Sequence, residues 1–74
     1  MEKHKHGIRH VILMDFSWGG IIKIRLSDEQ MKESENYEDF EEYLETIERE
    51  YGFRMKDSYW MGSKNVIKEE TYGY

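Results

Sequence analysis

The stretch IRHVILMDF, residues 8–16, decides the reading of this chain, because it is apolar on both sides of an extended strand. Successive side chains of a strand point to opposite faces, so Ile8, Ile12, Met14 and Phe16 share one face while Val11 and Leu13 share the other. Such a strand belongs in the middle of a sheet, where both faces need apolar groups. The flanking candidates are apolar on one parity only. GIIKIRL, residues 20–26, alternates Ile22, Ile24 and Leu26 with Lys23 and Arg25. FRMKDSYWM, residues 53–61, alternates Phe53, Met55, Tyr59 and Met61 with Arg54, Lys56, Ser58 and Trp60, and Asp57 interrupts its apolar set. Between the first two strands, Ser17, Trp18, Gly19 and Gly20 form a short glycine-containing connection, a hairpin signal.

Strands 2 and 3 are separated by ENYEDFEEYLETIEREYG, residues 35–52. Tyr37, Phe40, Leu44, Ile47 and Tyr51 recur at spacings of three and four, which puts all five on one stripe of a helix over 37–51. Asn36 or Ser34 can cap its start, and Gly52 its end. Residues 27–35 read as a polar loop with a short helical turn at 28–32, and residues 65–68 as a weak fourth strand. The order ββαβ, with the helix crossing from strand 2 to a parallel strand 3, places strand 1 between them. The expected fold is therefore α+β: one amphipathic helix on one face of a small antiparallel sheet of order 2-1-3. Ile12, Met14, Phe16, Ile22, Ile24, Leu26, Phe53 and Met55 are assigned to the helix side. The other face is then expected to show Val11 and Leu13 inside a rim of Arg9, Lys23, Arg25, Arg54, Lys56 and Trp60.

Seventy-four residues make one domain, 1–74, with residues 1–7 read as a flexible arm and 69–74 as a flexible tail. A chain this short buries only ~60% of the surface it exposes when unfolded. There is no cysteine, so neither disulfides nor a thiolate metal site can staple it. The longest apolar run, Val11 to Met14, is far too short for a membrane span or a signal segment, and the chain reads as soluble and cytoplasmic. Charged residues reach 36%, but an aromatic content of 15% with ordered periodicities argues for a fold over disorder.

Three features carry chemical potential. His4, His6 and His10 have one parity in an extended chain and are weak candidates for a metal site; a frayed polar terminus explains them better, and no cofactor is expected. Ser17, Asp15 and His10 are the residue types of a nucleophile group, yet no nucleophile turn or oxyanion motif accompanies them, and catalysis is not expected. The acids are the third feature. Residues 35–50 hold eight carboxylates against Arg49, a net charge of −7 in a chain of −5. The helix dipole favours acids in the first turn only, and Glu38/Glu42 and Glu41/Glu45 are like charges at i, i+4, so stability alone does not account for them. The expected function is accordingly a non-catalytic inhibitor or regulator. Glu38, Glu41, Glu42, Glu45 and Glu48 would engage a basic surface of a protein partner, such as a nucleic-acid-binding protein, with charges spaced at ~3.4 Å as in a DNA mimic. Two alternatives use the rimmed sheet face: direct binding of single-stranded nucleic acid with Trp60 or Tyr59 as a stacking platform, or homodimerisation over Val11 and Leu13.

Overall fold

The computed structural model describes residues 6–74. Strand β1 (His10–Asp15) pairs antiparallel with β2 (Gly20–Arg25) on one side and with β3 (Ser58–Ser63) on the other, giving the order β2-β1-β3. The hairpin between β1 and β2 is closed by Asp15. Its main-chain oxygen accepts the Gly19 N–H at 3.0 Å, and its carboxylate accepts the Ser17 N–H at 2.9 Å and the Ser17 hydroxyl at 2.5 Å. Gly19 supplies the left-handed turn residue, with φ of 72°, that a side chain would resist.

The polar segment after β2 forms a full helix, α1 (Asp28–Ser34), longer than the helical turn expected there. Ser27 starts it by a reciprocal cap: Gln30 N–H donates to Ser27 Oγ at 3.1 Å, and Ser27 N–H donates to Gln30 Oε1 at 2.9 Å. The single helix expected over 37–51 is instead two pieces, α2 (Phe40–Thr46) and α3 (Glu48–Tyr51). Asp39 is extended, and its N–H donates to Glu42 Oε1 at 3.2 Å, so the helix begins three residues late. At the far end Thr46 Oγ1 donates to the Tyr43 carbonyl at 2.6 Å, and Ile47 leaves the helical region at φ −109°, ψ 5°. A hydroxyl that takes a helical carbonyl, followed by a second β-branched residue, is a physical reason for the break. The apolar stripe survives it: Phe40, Leu44 and Ile47 are buried, joined by Tyr43.

Gly52, at φ 73°, then reverses the chain, and Glu48 accepts the Met55 N–H at 2.7 Å. Residues 53–57 carry a buried Phe53 and a turn of 3-10 helix, Met55–Asp57, in place of the early part of the expected third strand. Residues 65–68 form no strand. No helix among the described residues is long and apolar enough to cross a membrane.

The assignment of sheet faces requires correction. The register pairs Leu13 with Ile22 and Trp60, and Val11 with Ile24 and Gly62. Directly opposed residues share a face, so odd-numbered positions of β1 lie with even-numbered positions of β2 and β3. Val11 and Leu13, at 1% and 0% exposure, therefore face the helices with Ile24, Leu26, Phe40, Tyr43, Leu44, Ile47 and Phe53. Trp60 joins them, its ring centroid 5.3 Å from that of Phe40. Ile12, Met14 and Phe16 have the opposite parity and lie on the uncovered side. Shifting a strand by one residue exchanges its faces, and the length of the turn selected the register that pattern counting missed.

Candidate functional site

The uncovered face of the sheet is built in rows of three. Arg25, His10 and Ser63 form one row, Lys23, Ile12 and Met61 the next, and Ile21, Met14 and Tyr59 the third. Phe16 continues beyond β1 and lies against Tyr59 with ring centroids 5.7 Å apart. Met14, Phe16, Ile21, Tyr59 and Met61 are 48%, 60%, 61%, 68% and 51% exposed. Two cations, Lys23 and Arg25, stand at one end of this apolar surface. That end also holds part of the C-terminal segment: Val66 and Ile67 enclose a cleft of about 190 Å³ with His10, Lys23 and Arg25, and Lys23 Nζ pairs with Glu69 at 3.2 Å. The Phe16 end carries no such cover among the described residues.

The expected basic rim is not assembled. Arg9 is a clamp between sheet and helix: its guanidinium donates to the Leu26 carbonyl at 3.0 Å and pairs with Asp28 at 2.6 Å. Arg54 and Lys56 stand with Met55 beside Glu45 and Glu48, around a concavity of about 520 Å³, away from Lys23 and Arg25. Of the residues anticipated for this interface, Lys23 and Arg25 lie on the open face. Of the side chains that dominate it, Tyr59 is the one anticipated there, as a stacking platform; Met14, Phe16, Ile21 and Met61 are placed there by the β1–β2 register.

The five acids divide by role. Glu42 and Glu48 accept main-chain N–H groups and so belong to the fold, whereas Glu41 and Glu45 are exposed. Among the described residues the ion pairs Arg9–Asp28 and Lys23–Glu69 include neither. Glu38 is exposed and makes an interaction of its own. α2 spans about 10 Å, from seven residues at ~1.5 Å each, and α3 follows after Ile47. The acids of residues 40–51 are therefore carried by two helical segments, α2 and α3.

His4 lies outside the described residues. His6 Nε2 is 2.9 Å from the Tyr37 carbonyl, to which it can donate, and its ring packs edge-on to Phe40 at 5.5 Å. Gly7 takes φ of 62°, so the chain between His6 and His10 is not extended and the shared parity of the histidines is lost. His10 stands at the opposite end of β1 from Asp15, about 17 Å away at ~3.3 Å per residue, so Ser17, Asp15 and His10 do not meet.

A concavity of about 670 Å³ lies between the β1–β2 turn and residues 52–57, where Asp15, Glu48 and Asp57 stand near Arg49 and Arg54. Asp15 is buried within it, and its Oδ1 accepts the Ser17 N–H and hydroxyl of the turn. Hydrogen bonds from Ser17, with a contribution from the Trp18 side chain and the Arg54 charge, hold it below the usual carboxylate range against the opposing effect of burial. Tyr43 is shifted upward, to about 12, by burial and then by the charge of Glu33. In comparisons with protein-family models, curated proteins and solved structures, nothing matches this chain.

Proposed function

We propose that the chain is a non-catalytic interaction module that docks a protein partner through the open face of its sheet. The observation that carries this reading is the continuous surface of Met14, Phe16, Ile21, Tyr59 and Met61, each about half exposed or more. Taking ~200 Å² as the accessible surface of a side chain of this size, these five offer about 600 Å² to solvent. Contiguous apolar patches of that size stand at the top of the range for monomers and are commonly functional. A chain of −5 with few core residues gains solubility from its acids and affinity from this face.

A second reading keeps the acidic side as the working surface, with Glu38, Glu41 and Glu45 facing a basic protein. The support for it is the exposure of Glu41 and Glu45 without a cation at contact among the described residues. Direct binding of single-stranded nucleic acid would use Phe16 and Tyr59 for stacking in place of Trp60, which is half-buried on the helix side. Only Lys23 and Arg25 share their face, which is few phosphate contacts for a polyanion approaching a chain of net charge −5.

The test is capture from the native cell with four baits. Met14→Glu and Tyr59→Glu are expected to lose the partner, while Glu41→Lys and Glu45→Lys retain it, all four with native circular dichroism. Loss by the lysine pair alone would transfer the function to the acidic side and refute the sheet-face reading.

A further inference from the structure

Resting on the docking reading above, we infer that the occupant of the open face is a second copy of this chain, packed sheet to sheet about a two-fold axis that runs across the strands. Area is the first argument. About 600 Å² from each copy gives roughly 1,200 Å² in total, the lower end of what specific interfaces bury, so the pair is a weak dimer that dissociates on dilution. Sheets of this kind stack about 10 Å apart in aligned sandwiches, and the result is a helix–sheet–sheet–helix arrangement.

Charge is the second argument. The strand positions of the open face carry no carboxylate, whereas a chain of −5 repels its own copy through most other surfaces. Face-to-face packing points both acidic helical sides outward. The intervening sheets then hold them about 30 Å apart, several times the ~8 Å screening length at physiological salt. An axis across the strands at the Met14 row sets the Lys23 and Arg25 end of one copy over the Phe16 end of the other and brings Tyr59 of the two copies together. The like-charged ends are thereby separated, and Lys23 of each copy lies beside the Phe16 end of the other. Val66, Ile67 and Glu69 of each copy lie beside that Lys23 and Arg25 end, at the margin of the contact.

The experiment is sedimentation equilibrium of the full chain up to about 1 mM, where an interface of this size should be populated. The wild type is expected to move from 9.1 kDa toward twice that mass with rising concentration, and added salt should not weaken it. Met14→Glu and Tyr59→Glu should remain at monomer mass with native far-UV circular dichroism, while Glu45→Lys associates like the wild type. Should a glutamate variant unfold, isotope-filtered NMR of mixed labelled and unlabelled wild type takes its place. Contacts from the Met14 methyl to Ile12, Met14 or Tyr59 of the other copy are expected. A wild type that stays monomeric, association undiminished in both folded glutamate variants, or a dimer without those contacts overturns the second copy. If the monomer's sheet-face amides shift with a thymidine oligonucleotide or an acidic amphipathic peptide, the docking face stands with another occupant; a monomer that responds to neither refutes the docking reading as well.

Discussion

Replacing Leu13 or Met14 by alanine compares adjacent residues of one strand that differ in the face they occupy. Leu13 is fully buried between the sheet and α2, so Leu13→Ala removes buried methyl groups and leaves a cavity, at a cost of about 2.7–5 kcal/mol. Met14 is 48% exposed, and in dilute solution its truncation forfeits roughly half of the ~1.5–3 kcal/mol that full burial would contribute, about 1 kcal/mol. A domain of 74 residues has a stability of about 4–11 kcal/mol, so the first change removes a large fraction of it and the second a small one. At ~4–8 °C per kcal/mol, Leu13→Ala should lower Tm by more than about 10 °C and Met14→Ala by about 4–8 °C. The assay is thermal and urea unfolding followed by far-UV circular dichroism at low micromolar concentration, where self-association does not contribute. Equal losses, or a Met14 variant less stable than the Leu13 variant, would show that the two faces have been exchanged.

Three further outcomes follow from single residues. Ser27→Ala removes the reciprocal cap of α1 and should cost about 1 kcal/mol by urea titration, with Ser27→Gly costing less. The carboxyl of Asp15 is held below 3.8, so the unfolded chain binds its proton more readily than the native one. The resulting stability is fully present above the unfolded value and is lost as pH falls through the depressed native value; urea midpoints taken at decreasing pH should show this dependence in the wild type and less of it in Asp15→Asn. The hydroxyl of Tyr43 is raised to about 12, so its contribution is complete below about 10 and disappears as pH rises through 12; tyrosinate absorbance should show a late-titrating group that Tyr43→Phe abolishes.

The α+β class and the strand order were legible because IRHVILMDF is apolar on both parities and its neighbours are not. The apolar stripe at Phe40, Leu44 and Ile47 was legible for a similar reason, since periodicity reports burial directly. Face assignment was not, because both parities of β1 are apolar and the choice depends on the β1–β2 register. That register follows from how Asp15 and Gly19 close the turn. The helix break at Ile47 escaped notice because it arises from the Thr46 hydroxyl and local β-branching, which leave the hydrophobic period intact. The acids looked uniform in sequence, yet Glu42 and Glu48 hold main-chain N–H groups while Glu41 and Glu45 do not. Arg9 likewise gave no sign that it would bind Leu26 and Asp28 across the sheet–helix junction.

The docking face is tested most directly by the solvent accessibility of its methionine methyls. Methyl-labelled protein, titrated with a soluble paramagnetic probe, should show strong broadening at Met14 and Met61 in dilute solution and weaker broadening at the half-buried Met31 and Met55. Raising the concentration, or adding the captured partner, should protect Met14 and Met61 together and leave Met31 and Met55 unchanged. Met14 and Met61 that remain fully broadened under every condition, while binding proceeds elsewhere on the molecule, would contradict the assignment of the open sheet face as the docking surface.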